Sequence, residues 1–90
     1  MDFSEALIAL KKGFRIARKG WNGKRMHIAL MGGYPMCPAN GGHALAHNVP
    51  IGSPVTIDPY ISMKTANGTY QPGWLASQPD LLADDWEIVE

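Results

Sequence analysis

The sequence predicts an α+β domain, a small antiparallel β-sheet with two short helices. Three observations predict it. Asn67-Gly68 lies between two β-prone runs, the pattern of a tight hairpin. Ser77-Gln78-Pro79-Asp80 has the Ser-x-x-acid form that opens helices. Phe3, Ala6, Leu7 and Leu10 fall at helical spacing near the start of the chain.

Taken in order, residues 3–12 read as an amphipathic helix with Ser4 as a cap, Glu5 at the positive end of the dipole and Gly13 as a stop. Residues 14–18 alternate, with Phe14, Ile16 and Arg18 on one side, and residues 25–31 alternate again through Met26, Ile28 and Leu30. The segment between them holds Asn22-Gly23 and reads as a hairpin turn, with Trp21 at its tip or just inside. Residues 32–58 are rich in Gly and Pro and too long to be a structureless loop, so a flap or a contact between protomers is expected there. Within it His43-Ala44-Leu45-Ala46-His47 fits either a few strand pairs or one helical turn. Residues 60–66 and 69–71 form the hairpin around a type I′ turn, and Pro72-Gly73 keeps the return strand short and near an edge. A second helix runs from the Ser77 cap to about residue 83, and Trp86 to Val89 alternates as a closing strand.

A chain of 90 residues buries only about 60–70% of its unfolded surface, so self-association is expected to add to a small core. The formal net charge is zero, which argues against a dedicated binder of duplex nucleic acid. The charges are nonetheless segregated: seven of eight Lys and Arg residues fall within positions 11–25, and five of eight carboxylates within 80–90. That polarity either serves an anionic ligand or lets the two ends of the chain face each other. A single cysteine, Cys37, excludes an intramolecular disulfide and suits a reducing compartment. No apolar run reaches the roughly 20 residues of a membrane helix, so a protein of the cytoplasm is expected, with no membrane partner.

The strongest chemical cluster is Ala17-Arg18-Lys19-Gly20-Trp21-Asn22-Gly23-Lys24. An indole offers a flat face to a base or sugar, the cations offer charge to phosphate, and glycine admits close approach to the backbone. The competing reading is a solvated basic hairpin whose Trp plugs the core. The Ser77 turn adds a helix N-terminus that could take an anion. Other chemistry is poorly supported. Cys37, His43 and His47 share one segment but lack an elbow motif around a nucleophile, so no catalytic residue and no enzyme is expected. His43 and His47 with Cys37 or His27 could supply metal ligands, but no Cys-x-x-Cys or His-Glu-x-x-His pattern accompanies them, and neither metal nor cofactor is expected. Asp84 and Asp85 point to opposite faces if extended and read as a helix exit and solvated surface.

Four blocks, at residues 1–13, 17–24, 59–68 and 74–86, together resemble the second type of Thoeris anti-defence protein. They run Met-x-Phe-x-Glu-Ala-Leu-x-Ala-Leu-Lys-x-Gly, Ala-Arg-Lys-Gly-Trp-Asn-Gly-Lys, Pro-Tyr-Ile-x-Met-Lys-Thr-Ala-x-Gly and Trp-Leu-Ala-Ser-Gln-x-Asp-Leu-Leu-Ala-x-Asp-Trp. The resemblance implies a phage or prophage sponge that binds the cyclic ADP-ribose isomers of Thoeris immunity and holds them intact. It also implies a homotetramer with pockets between protomers, and in some relatives a separate pocket for cyclic di- or trinucleotides. Carried over, Trp21 and Asn22 would line the adenine and ribose part, with Met63, Lys64 and the turn of Trp74, Leu75, Ser77, Gln78 and Asp80 as further wall. Arg18 and Lys19 join them on electrostatic grounds alone, since a diphosphate needs positive charge nearby. The alternatives left standing are an enzyme hydrolysing such a signal, or an accessory module that binds nucleic acid or protein.

Overall fold

The computed structural model describes residues 1–21 and 25–89. Helix α1 spans Phe3–Lys11 and starts one cap earlier than Ser4. Asp2 is the N-cap: its carboxylate accepts the Glu5 N–H at 2.9 Å, and the Glu5 carboxylate accepts the Asp2 N–H at 3.1 Å. Ser4 instead donates its hydroxyl to Asp2 at 2.7 Å, because a charged acceptor at position 2 satisfies an orphan donor better than a hydroxyl would two residues later. Lys12 is the C-cap and Gly13 follows it, its φ of 93° suiting a residue without Cβ.

Among the described residues seven strands follow in the order β1 (Arg15–Arg18), β2 (His27–Met31), β3 (Tyr34–Pro38), β4 (Pro54–Ile57), β5 (Tyr60–Lys64), β6 (Tyr70–Pro72) and β7 (Trp86–Val89). Two further helices are α2 (Gly41–His47), between β3 and β4, and α3 (Gln78–Leu82), before β7. The main sheet is antiparallel throughout, ordered β6-β5-β2-β1-β7. Its register sets Ile16 beside Ile28 and Ile28 beside Met63, which puts these side chains on one face under α1. Leu10, Ile16, Ile28 and Trp86 are fully buried there with Ala6, each large side chain contributing about 1.5–3 kcal/mol. The architecture is the expected α+β with an antiparallel sheet, except that the helices number three among the described residues.

The additional helix lies in residues 32–58. Asn40 caps α2 by accepting the His43 N–H at 2.8 Å, and Asn48 closes it in the left-handed region at φ 54°. Gly41-Gly42 hides this helix from propensity, since glycine is about 1 kcal/mol less favourable than alanine. Around it β3 and β4 pair as a second, two-stranded sheet. This sheet continues the β2–β5 ladder: Met31 pairs with Tyr60, the Gly33 N–H reaches the Ile57 carbonyl at 2.8 Å, and Tyr34 pairs with Ile57. The ribbon turns at Gly32, where φ is 79° and an added Cβ would strike the Asp58 carbonyl and the Tyr60 ring. The resulting arm lengthens the molecule to 44 × 26 × 25 Å and raises the radius of gyration to 15.3 Å, against about 12 Å for a sphere-like chain of this size.

The Asn67-Gly68 hairpin forms, with a different turn. The Gly68 N–H bonds to Thr65 O at 3.0 Å and the Thr65 N–H to Thr69 O at 2.8 Å, and Gly68 alone in the turn is left-handed, at φ 83°. That is a three-residue loop, a type I turn followed by a left-handed glycine, and not type I′. Its strand twist is equally compatible with the hairpin, and the Thr65–Thr69 hydroxyl contact at 2.7 Å closes it. β6 is the short edge strand that Pro72 predicts.

Candidate ligand site

Strand β1 ends at Arg18, and the chain turns at once, with the Trp21 N–H bonded to Arg18 O at 3.0 Å. This puts the Trp21 indole just inside the turn and against the core. Its ring centroid is 5.2 Å from Trp86 and 6.2 Å from Trp74, and Trp74 is 6.2 Å from Trp86. All three pairs meet edge to face, at 74–80° between planes, the geometry the ring quadrupole favours. Trp86 is buried and gives its indole N–H to Asp80 O at 2.9 Å, while Trp21 and Trp74 are half-buried at the rim. Trp74 is pinned by its backbone N–H, which donates to Ile61 O at 2.7 Å. Met63, on the core face of β5, packs against the buried core cluster to which Trp86 belongs.

Arg18 belongs to this end of the sheet through two carboxylates. Its Nε donates to Asp85 at 2.9 Å and its Nη1 to Asp80 at 3.0 Å. These partners, Asp85 first, raise the guanidinium pKa, and the Arg18 hydrogen bond holds the Asp85 carboxyl below the usual aspartate range. Arg18 is therefore already neutralised from two sides. The segregated charges bring the two ends of the chain together, as one of the two sequence readings has it. Asp85 is not solvated surface: it is half-buried and paired, and the β1–β7 register of Arg18 beside Trp86 puts it next to the turn.

The Ser77 turn differs from a free anion site. Helix α3 has five residues; its Asp80 N–H is taken by Ser77 Oγ at 3.2 Å, and the Asp80 carboxylate itself accepts from Ser77 at 2.9 Å. The helix end thus carries its own anion. Ser77, Gln78 and Leu75 are exposed, Leu75 at 90%, while Asp80 faces the indole end through Arg18. Lys19 is exposed, with its N–H on Asp85 O at 3.1 Å. Lys64 neighbours Met63 and so lies on the opposite sheet face, in a cleft of about 260 Å³ with His27, Met31, Tyr60 and Tyr70. Asn22, like Lys24, lies outside the described residues. The structure thus gathers Trp21, Trp74, Met63, Arg18 and Asp80, and sets Lys64 apart. Sequence reasoning missed Trp86 and Asp85 as the residues that organise the group; the signals for them were the acidic bias of the C-terminal segment and the Asp-Trp pair that closes the fourth block.

In the arm, Cys37, Asn40, His43, Tyr34 and Tyr60 line another cleft, of about 280 Å³. His43 and His47 sit one helical turn apart with ring centroids 4.5 Å from each other. Among the described residues no group of three or more His, Cys, Asp or Glu side chains is placed to hold a metal ion.

A family model for the Thoeris anti-defense 2-like domain, called Tad2-like, matches residues 1–89. The chain belongs to the Tad2-like family. It is 38% identical over 90 residues to Thoeris anti-defense 2 of Bacillus phage SP01, covering 99% of this chain and 94% of that one. Membership supports an anti-defence role, and the match spans both the indole end and the arm of this Tad2-like domain. No helix among the described residues is long and apolar enough to cross a membrane.

Proposed function

We propose that this Tad2-like protein is a sponge: it binds cyclic ADP-ribose isomers of Thoeris immunity in the cytoplasm of the bacterial host and keeps them intact. The observation that carries the reading is the pair of half-buried indoles, Trp21 and Trp74, held at fixed angles on the buried Trp86. Indoles held in this way suit a purine face, because little side-chain entropy remains to be lost on stacking. Exposed Lys19 and Arg25 flank the turn and supply charge for the diphosphate, since Arg18 is committed to carboxylates. Homotetramer formation fits the exposed apolar side chains Leu45, Ile51, Leu75 and Leu82, which a second copy would cover.

The test is to mix the protein with cyclic ADP-ribose isomers, and with cyclic di- and trinucleotides as further arms, then analyse the solution by mass spectrometry before and after heat denaturation. Depletion followed by return of unchanged ligand is expected. Trp21→Phe, which keeps an apolar ring against Trp86, is expected to weaken binding about tenfold with little loss of stability. A cleaved product would overturn the sponge reading in favour of hydrolysis in the cleft shared by Cys37 and His43.

A further inference from the structure

Asp85 holds two consecutive residues of the turn that leads into Trp21. Its carboxylate accepts from Arg18 Nε at 2.9 Å, and its carbonyl accepts the Lys19 N–H at 3.1 Å. Arg18 passes the restraint on in two directions, through Nη1 to Asp80 at 3.0 Å and through its carbonyl to the Trp21 N–H at 3.0 Å. Asp80 O in turn holds the Trp86 indole N–H at 2.9 Å, so three hydrogen bonds link Asp85, Arg18, Asp80 and Trp86, the last of which follows Asp85 in the chain and packs against the Trp21 ring. A turn between strands has few restraints of its own, and a residue whose carboxylate takes a guanidinium while its carbonyl takes a backbone N–H of the same turn is a strong one.

We propose that Asp85 is the positioning residue of the ligand site: it fixes the turn at residues 18–21 so that the Trp21 indole is presented to ligand while seated on Trp86. The proposal rests on the sponge reading for the ligand, but the positioning itself is readable without one. Asp84, exposed beside it, carries the same charge and serves as the matched control.

The experiment compares wild type, Asp85→Ala, Asp85→Asn and Asp84→Ala by NMR and by binding of a cyclic ADP-ribose isomer. The Trp21–Trp86 ring contact reports the turn, and the Phe3–Trp86 contact, with centroids 5.4 Å apart, reports the core. Asp85→Ala is expected to lose the first nuclear Overhauser effect, keep the second and bind at least about tenfold more weakly. Asp85→Asn, which keeps a neutral acceptor, is expected to fall between it and wild type, and it decides the matter if the alanine variant does not fold. Asp84→Ala should match wild type in both readings. Unchanged Trp21–Trp86 contact and affinity in Asp85→Ala would overturn the proposal, as would loss of both ring contacts together in Asp85→Asn. Wild type that binds no cyclic ADP-ribose isomer, with the Trp21 contact still lost in Asp85→Ala, would sink the sponge reading and leave the positioning role standing.

Discussion

The indole end of the sheet and the β3-α2-β4 arm find partners for their side chains in opposite ways. At the indole end three large rings pack on one another, the indole of Trp86 has its hydrogen bond, and one guanidinium meets two carboxylates. In the arm, Tyr34, Met36, Leu45 and Ile51 all stand exposed, Leu45 at 87%, and Met36 is left-handed at φ 52° beside a bulge in β3. At the indole end the rings and charges find their partners within the chain, with Leu75 and Leu82 left exposed beside them; the arm turns most of its large apolar side chains outward. Internal packing and exposed apolar surface are thus weighted towards different parts of a very small protein, joined by the glycine bend at Gly32.

Removing Trp86 is the strongest way to break this contrast. Trp86→Ala deletes the ring that Phe3, Trp21 and Trp74 all touch, and should cost about 3–5 kcal/mol, enough to unfold a domain of this size or to leave it marginal in urea titration. Gly32→Ala attacks the joint instead. A left-handed φ costs a non-glycine residue about 1–2 kcal/mol, and the clash with Asp58 adds to it, so the unfolding midpoint should fall and backbone NMR shifts should change along β3 and β4 more than around the indoles. Acid gives the smallest and most local effect. Because folding lowers the Asp85 pKa, its contribution is fully present above the ordinary aspartate value of about 4 and is lost as pH falls through the lowered one. Tryptophan emission should therefore hold steady from neutral pH to about 5 and shift only below about 4. Asp2, whose carboxylate is lowered by the Glu5 N–H and Ser4, titrates in the same direction at the start of α1, so an Asp85→Asn comparison isolates the turn.

What the sequence reveals follows the range of each interaction. The α1 periodicity, the Asn67-Gly68 hairpin and the Ser77 cap are local patterns, and all three form, though Asp2 replaces Ser4 as the cap and the hairpin uses a longer loop. Helix α2 escapes because its Asn40 cap is followed by two glycines, so a local side-chain hydrogen bond and intrinsic propensity point in opposite directions. The Arg18–Asp85 pair, 67 residues apart in sequence, could be seen only as a bias in charge distribution. The same distance hides the role of Trp86, which reads as one member of an alternating strand until the β1–β7 register brings it beneath Trp21. Lys64 shows the converse, a residue that resemblance groups with Met63 and that the two-residue period of a strand turns to the other side of the sheet.

The outer strands of the main sheet also differ. β6 offers only three residues, one of them a proline, whereas β7 runs four residues from Trp86 to Val89 along the opposite border. A proline lacks the N–H that a newly arriving strand requires, and a three-residue border gives it little to grip. Head-to-tail fibre growth by strand addition needs two receptive borders on every molecule. This sheet has one poor border built in, so misassembly through its edges is disposed to stop at a pair instead of propagating.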